Sequence, residues 1–177
     1  MKKLATIIEE NLDPQSINLK TRDTVRGVIL DGDEVLLIFS KMFNDYTFPG
    51  GGCKANEDKM DALRRELKEE VGIDDFRVID ELGYVEEYKY GLNNQDMSYG
   101  YHQVSYFYLI EVIKSSEAAP LEREMIQGNE PVMIRIKDAI EHNQLVMRDE
   151  NHSVLGMKTV LQREIKVLEV LDENASI

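Results

Sequence analysis

The stretch from Asp58 to Gly72 constrains this chain more than any other. "KMDALRRELKEEV" is built almost wholly of strong helix formers. Asp58 precedes it as a first-turn cap, and Gly72 follows where a helix commonly ends in a left-handed residue. The spacing predicts a helix over 59–71. Met60, Leu63, Leu67 and Val71 recur every three or four residues and make one apolar stripe. A stripe of that width must lie on a second layer, so the rest of the chain has to provide a cover.

The flanking sequence provides strands. "TVRGVIL-DGDE-VLLIFS" reads as two β-rich runs, 24–30 and 34–40, joined as a hairpin through an Asp-Gly turn. A short strand is expected near 46–48, in the loop "KMFNDYTFPGGG". Long strand-like runs cover 76–90 and 104–113, with "GLNNQDMSYGYHQ" between them as a hairpin loop. "APLEREMIQGNEP" reads as an acidic loop, 131–136 as a strand and 137–143 as a short helix. Met157, Leu161, Ile165, Leu168 and Leu171 give a helical core stripe over about 154–171. Residues 4–11 read as a short helix ended before Pro14. The pattern is α+β, with one central helix and one C-terminal helix.

Composition narrows the chemistry. At 177 residues with 42% apolar and 31% charged, the chain suits a globular domain. No apolar run reaches the roughly 18 residues of a membrane span. The start, "MKKLATIIEENLD", lacks a signal-peptide pattern, so the expected location is cytoplasmic, with no membrane partner. The one cysteine, Cys53, excludes an internal disulfide and a cysteine-rich zinc site. The net charge of −13 disfavours a nucleic-acid polymer as partner. It does not exclude a small anion, because a carboxylate-held divalent metal inverts the local field.

Glu66, Glu69 and Glu70 stand at i, i+3 and i+4 and share an arc beside the apolar stripe. Like charges so placed repel by a few tenths of a kcal/mol per exposed pair, roughly. Alone, they fit either a solvated helix face or a site for a hard ion such as magnesium or manganese.

The spacing around them is specific. Gly51 is followed after five residues by Glu57 and, seven further on, by Arg65-Glu66-Leu67. One more residue leads to Glu69-Glu70, and another to Gly72-Ile73. This resembles the Nudix hydrolase signature, G-x5-E-x7-R-E-U-x-E-E-x-G-U with U a bulky aliphatic, and every specified position matches. The "FPGG" lead-in and the order of strands and helices are similar too. The resemblance implies an α/β/α sandwich of the Nudix type with a mixed sheet and a central catalytic helix. It would form one domain over 21–177, behind an extension over 1–20.

The resemblance also implies roles. Glu66, Glu69 and Glu70 correspond to metal-binding and catalytic carboxylates, with the Gly51 carbonyl as a further ligand of Mg²⁺ or Mn²⁺. Glu57 and Arg65 match a pair that supports the site. A bound metal would neutralise pyrophosphate oxygens and lower the pKa of the attacking water. Several family members draw a general base from a later loop. The corresponding region here is 122–130, with Glu130 the chosen candidate beside the reading of a solvated acid. Arg22 and Arg26 are candidates for substrate phosphates, or else edge charges.

The implied substrate is a small nucleoside diphosphate linked to another group X. The absence of proline between Pro49 and Pro120 argues against an ADP-ribose type, and the lead-in does not resemble the coenzyme A type. Tyr90 lies where dinucleoside polyphosphate types carry a tyrosine, and could stack on a base. "YVEEYKY" equally suits a plain strand with aromatic cross-strand pairs. Nucleoside triphosphates and dinucleoside polyphosphates are favoured. The resemblance leaves a homodimer open. The alternative function is a Nudix-fold binding or regulatory module without catalysis. An isopentenyl-diphosphate isomerase-like enzyme is more remote, because Cys53 is misplaced for it.

Overall fold

The computed structural model describes residues 1–90, 99–149 and 157–175. Its strands are β1 (Lys3–Ile8), β2 (Asn18–Val28), β3 (Leu30–Asp31), β4 (Glu34–Ser40), β5 (Asp45–Thr47), β6 (Gly50–Gly52), β7 (Ile73–Lys89), β8 (Tyr99–Ser115) and β9 (Asn129–Arg135). Its helices are α1 (Lys59–Val71), α2 (Glu122–Gln127), α3 (Ile136–Arg148) and α4 (Met157–Ala175).

The larger sheet runs β1-β7-β8-β2-β6. β1 is parallel to β7 and β8 to β2, whereas β7 with β8 and β2 with β6 are antiparallel. In the smaller antiparallel sheet β4 pairs with β3, β5 and β9. α1 covers one face of the large sheet. Its Ala62, Leu63 and Leu67, all fully buried, pack with Val25, Phe76, Tyr108 and Ile110. Each buried leucine contributes about 1.5–3 kcal/mol relative to exposure. On the other face Phe48, Val85 and Phe107 pack with Leu37 of β4, Ala139 of α3 and Val167 and Leu168 of α4. This is the expected α/β/α sandwich with a mixed sheet.

α1 has the expected ends. The Asp58 carboxylate accepts from the Met60 N–H at 2.8 Å, and Gly72 is left-handed at φ 68°. Elsewhere non-local pairing overrides local pattern. Residues 3–8 are a strand, not a helix, because the far end of β7 (Tyr84–Tyr88) offers them an open edge. The expected hairpin is only partly formed. Leu30 and Asp31 pair with Val35 and Glu34, but β2 leaves for the other sheet, where β8 and β6 flank it. The acidic loop contains α2, ended by left-handed Gly128. The α3 helix runs well over a turn beyond the expected 137–143, and residues 99–103 of the expected hairpin loop belong to β8. The rest of that loop, 91–98, and the start of the C-terminal helix, 154–156, lie outside the described residues.

Candidate active site

The site forms where α1 meets the glycine strand β6. Three glycines in succession let β6 be touched closely from both sides. A Cβ at Gly51 would collide with the carboxylate of Glu66, and one at Gly52 would press on Arg22 Nη2 at 2.9 Å. Gly50, at φ 134°, donates its N–H to Glu70 Oε2 at 2.6 Å. So Glu66 and Glu70 of α1 meet β6 from behind, with Glu69 beside them on the helix, while Arg22 and Arg26 of β2 meet it from the front.

Within this wall the charges are unevenly compensated. Arg65 donates to both oxygens of Glu57, each at 2.8 Å, and to Glu66 Oε1 at 2.6 Å. It also reaches the Gly52 carbonyl at 3.2 Å and approaches Glu69 at 3.7 Å. The expected Glu57–Arg65 pairing is therefore present, and it fastens the glycine strand to the helix. The bond from Arg65 holds the Glu57 carboxyl down at about 2. Glu66 is buried, yet its Oε2 has no hydrogen-bond partner, and neither does the buried Oε2 of Glu69. Burial pushes the Glu70 carboxyl up to about 7, against the pull of Arg26 and the Gly50 N–H. Buried carboxylate oxygens without donors are costly.

The donor set suits a hard divalent ion: carboxylate oxygens, two of them enclosed and unsatisfied. Among the described residues, no three His, Cys, Asp or Glu side chains already form a chelating group. Glu66 and Glu70 are engaged by Arg65 and by the Gly50 N–H instead.

On the Arg22–Arg26 side of β2, the strand next to β6, lies a cavity of about 490 Å³. Arg22, Arg26, Lys89 and Arg163 give it four cations, and Phe43, Tyr90, Tyr99 and Tyr101 give it aromatic walls. Ser40, Asp45, Gln127 and Asn129 add polar groups. Strand alternation explains the cations: Arg22, Thr24 and Arg26 point to one side of β2, in register with Gln103, Ser105 and Phe107 of β8. Arg26 donates to the carbonyls of Phe48 (3.0 Å) and Gly50 (2.7 Å). Its guanidinium thus braces the glycine strand as well as facing the cavity. Both expected arginines and Tyr90 come together here. Tyr84 and Tyr88 instead pair with Tyr106 and His102, as cross-strand partners.

Glu130 is elsewhere. It sits on β9 next to cavity-lining Asn129, so alternation turns it away. Its exposed carboxylate is ion-paired with Lys41. The acid of this region that approaches the wall is Glu124 of α2. It is buried, takes the Leu121 N–H at 2.7 Å, and its charge pushes Glu70 further up. Its sequence signal was the acid at the third position of a short helix closed by Gly128.

A family model described as NUDIX domain matches residues 20–153. The chain is 43% identical over 54 residues to an RNA pyrophosphohydrolase of Marinomonas sp. (strain MWYL1). That stretch is 29% of this chain, and it spans about a third (34%) of the relative. Among solved structures, a NUDIX hydrolase from Nitrosomonas europaea aligns with TM-score 0.54 and 18% identity, over 87% of this chain and 90% of that one. A MutT NUDIX hydrolase from Burkholderia pseudomallei aligns with TM-score 0.47 and 20% identity, over 67% and 85%.

Proposed function

The chain belongs to the NUDIX family, and from that premise we propose that it is a divalent-metal-dependent pyrophosphohydrolase. Its substrate would be a small nucleoside diphosphate linked to another group, with nucleoside triphosphates and dinucleoside polyphosphates favoured. The observation that carries this reading is the pairing of two features across one glycine strand. Behind it stands the glutamate face of α1, where a buried oxygen of Glu66 and one of Glu69 accept no hydrogen bond; in front stands a cavity with four cations in a chain of net charge −13.

Glu66, Glu69 and Glu70, with the Gly51 carbonyl, would hold Mg²⁺ or Mn²⁺. A bound ion of this kind supplies charge neutralisation at the diphosphate and a more acidic water. The remaining work falls to the chain. Arg22 and Arg26 would orient phosphate oxygens, and Arg26 keeps Gly50 in place to meet Glu70. Arg65 fixes Glu66 and, through Glu57, the loop before the helix. Tyr90, Tyr99 and Tyr101 offer ring faces to a base. Glu124, enclosed beside Glu70, is the better candidate than Glu130 to take a proton from the attacking water.

The test is a substrate panel with Mg²⁺ and product identification: nucleoside triphosphates, oxidised dGTP, dinucleoside polyphosphates, ADP-ribose, nucleotide sugars and 5′-triphosphorylated RNA. The RNA is included because of the name of the Marinomonas relative. Glu69→Gln and Glu70→Gln should each lower kcat about a thousandfold, on the scale of losing a principal electrostatic group. Wild-type rates in both folded variants would remove the metal-site assignment. Binding without turnover of any panel member would favour the non-catalytic module.

A further inference from the structure

The family model stops at residue 153, before α4 begins at Met157. Yet α4 carries two charged side chains into the interior. Arg163 and Glu164 are 1% and 0% exposed, on a helix whose neighbouring Leu161 and Leu168 are core. Arg163 donates through Nε and Nη2 to Glu164 and through Nη1 to Glu87 Oε2 at 2.7 Å. Glu87 is a hub, also taking Lys89 at 3.0 Å and Gln103 at 2.9 Å. Arg163, Lys89 and Gln103 all line the cavity. The other oxygen of Glu164 accepts the Phe48 N–H at 3.2 Å. Phe48 enters the glycine strand; its carbonyl is held by Arg26, and two residues on Gly50 meets Glu70.

From this chain of contacts we propose that α4 is a working part of the site. Its Arg163–Glu164 pair positions the glycine strand against the α1 glutamates and fixes the cationic floor of the cavity. This rests on the reading of the cavity as the substrate site. A helix that served only to cover the core would need neither charge, because a buried pair gives little net stability over apolar residues of similar size. Arg163 is spent on two carboxylates, so it acts through Glu87 and Glu164 as a positioning residue. Lys89 is tied to Glu87 at 3.0 Å in the same way, which leaves Arg22 and Arg26 of the lining as the cations to face a ligand.

The variant that isolates the claim is Arg163→Met/Glu164→Leu. It removes one charge of each sign and leaves Glu87 paired with Lys89. Amide hydrogen exchange and melting are measured on the full chain, with ATP hydrolysis in Mg²⁺ as a second readout. We expect a melting temperature near wild type, with the Phe48 and Gly50 amides exchanging roughly tenfold faster, the scale of one charge-assisted hydrogen bond. Gly50 is decisive because no side chain of α4 touches its N–H, which is bonded to Glu70. Unchanged exchange at Gly50 would overturn the proposal, even if Phe48 exchanged faster. If the double variant does not fold, Glu164→Gln and Glu164→Asp replace it. The amide keeps an acceptor within reach of Phe48 and the shorter acid does not. Faster exchange in Asp than in Gln at Phe48 and Gly50 supports positioning, and equal or reversed order overturns it. Exchange does not depend on turnover. If wild type cleaves no panel member, the pyrophosphohydrolase reading fails while the positioning claim is still decided. If turnover is normal but Gly50 is unmoved, only the positioning claim fails.

Discussion

Two groups of acids, enclosed to different degrees, lie on opposite faces of the larger sheet, and they are built on opposite terms. In the α4 group, Glu87 and Glu164 face Arg163 and Lys89, so the charges balance and the main oxygens have donors. Burial pushes the Glu87 carboxyl up, but Arg163 and Lys89 outweigh it and hold it at about 2. In the α1 group, Glu66 and Glu69 share Arg65, Glu70 takes the Gly50 N–H, and two enclosed oxygens have no hydrogen-bond partner. There burial prevails, and Glu70 is pushed up to about 7. The first arrangement is what fixed architecture requires. The second leaves negative charge uncompensated, which a stability-driven design would remove and a metal-binding site would retain.

The contrast can be broken by exchanging charge for shape on each side. The largest effect belongs to the α1 wall, where Glu70→Gln should lower kcat about a thousandfold with the fold intact. Next is Glu87→Gln. It leaves Arg163 and Lys89 short of a carboxylate, at a cost of about 3–5 kcal/mol for a broken buried pair. That corresponds to a melting temperature roughly 10 °C lower for a chain of this size. The pH dependence follows from the lowered carboxyl. The stability Glu87 contributes is fully present above its unfolded value of 4.5 and is lost as pH falls through about 2. Acid unfolding of Glu87→Gln should therefore be flatter across that window, and an identical acid limb would contradict the assignment.

A third expectation is metal-linked stability. Mg²⁺ at a hundredfold excess over its Kd should add about 2.7 kcal/mol to wild type and nothing comparable to Glu69→Gln. Smaller, and of opposite sign to Glu87→Gln, is the metal-free effect of Glu69→Gln. Relief of like-charge crowding should raise the melting temperature by about 2 °C; a fall would mean the wall is already compensated. A final comparison separates the two loop acids, one of which should have the smallest effect of all. Glu130→Ala should leave kcat within about twofold of wild type, because its partner is exposed Lys41. Glu124→Ala should lower it by at least about a hundredfold as a lost general base.

What could be read from sequence was what local chemistry decides. Asp58, Gly72 and the Leu63–Leu67 stripe specify α1 without help from elsewhere. The signature spacing likewise gave the glutamates and their Arg65 partner. Residues 3–8 read as a helix locally because Lys3, Leu4 and Ala5 favour helix while Thr6, Ile7 and Ile8 favour strand, and the edge at Tyr84–Tyr88 decides between them. Spacing points to Glu130 within 122–130, but a loop acid's direction depends on strand alternation and on α2, neither of which spacing reveals. The α4 pair left a trace: Glu164 falls between Leu161 and Leu168 on the core stripe, where an unpaired charge would not be tolerated. Glu87, the other carboxylate that Arg163 holds, lies on a distant strand, so the trace cannot be completed from sequence.

The central claim is that the α1 wall, unlike the α4 group, is a metal site. A Mn²⁺ titration followed by electron paramagnetic resonance tests it most directly, on wild type, Glu69→Gln, Glu70→Gln and Glu87→Gln. We expect Mn²⁺ to bind wild type and Glu87→Gln with similar affinity. Both α1 variants should bind it about tenfold or more weakly, the scale of a lost ligand or its support. Equal Mn²⁺ affinity in wild type and both α1 variants would contradict the claim.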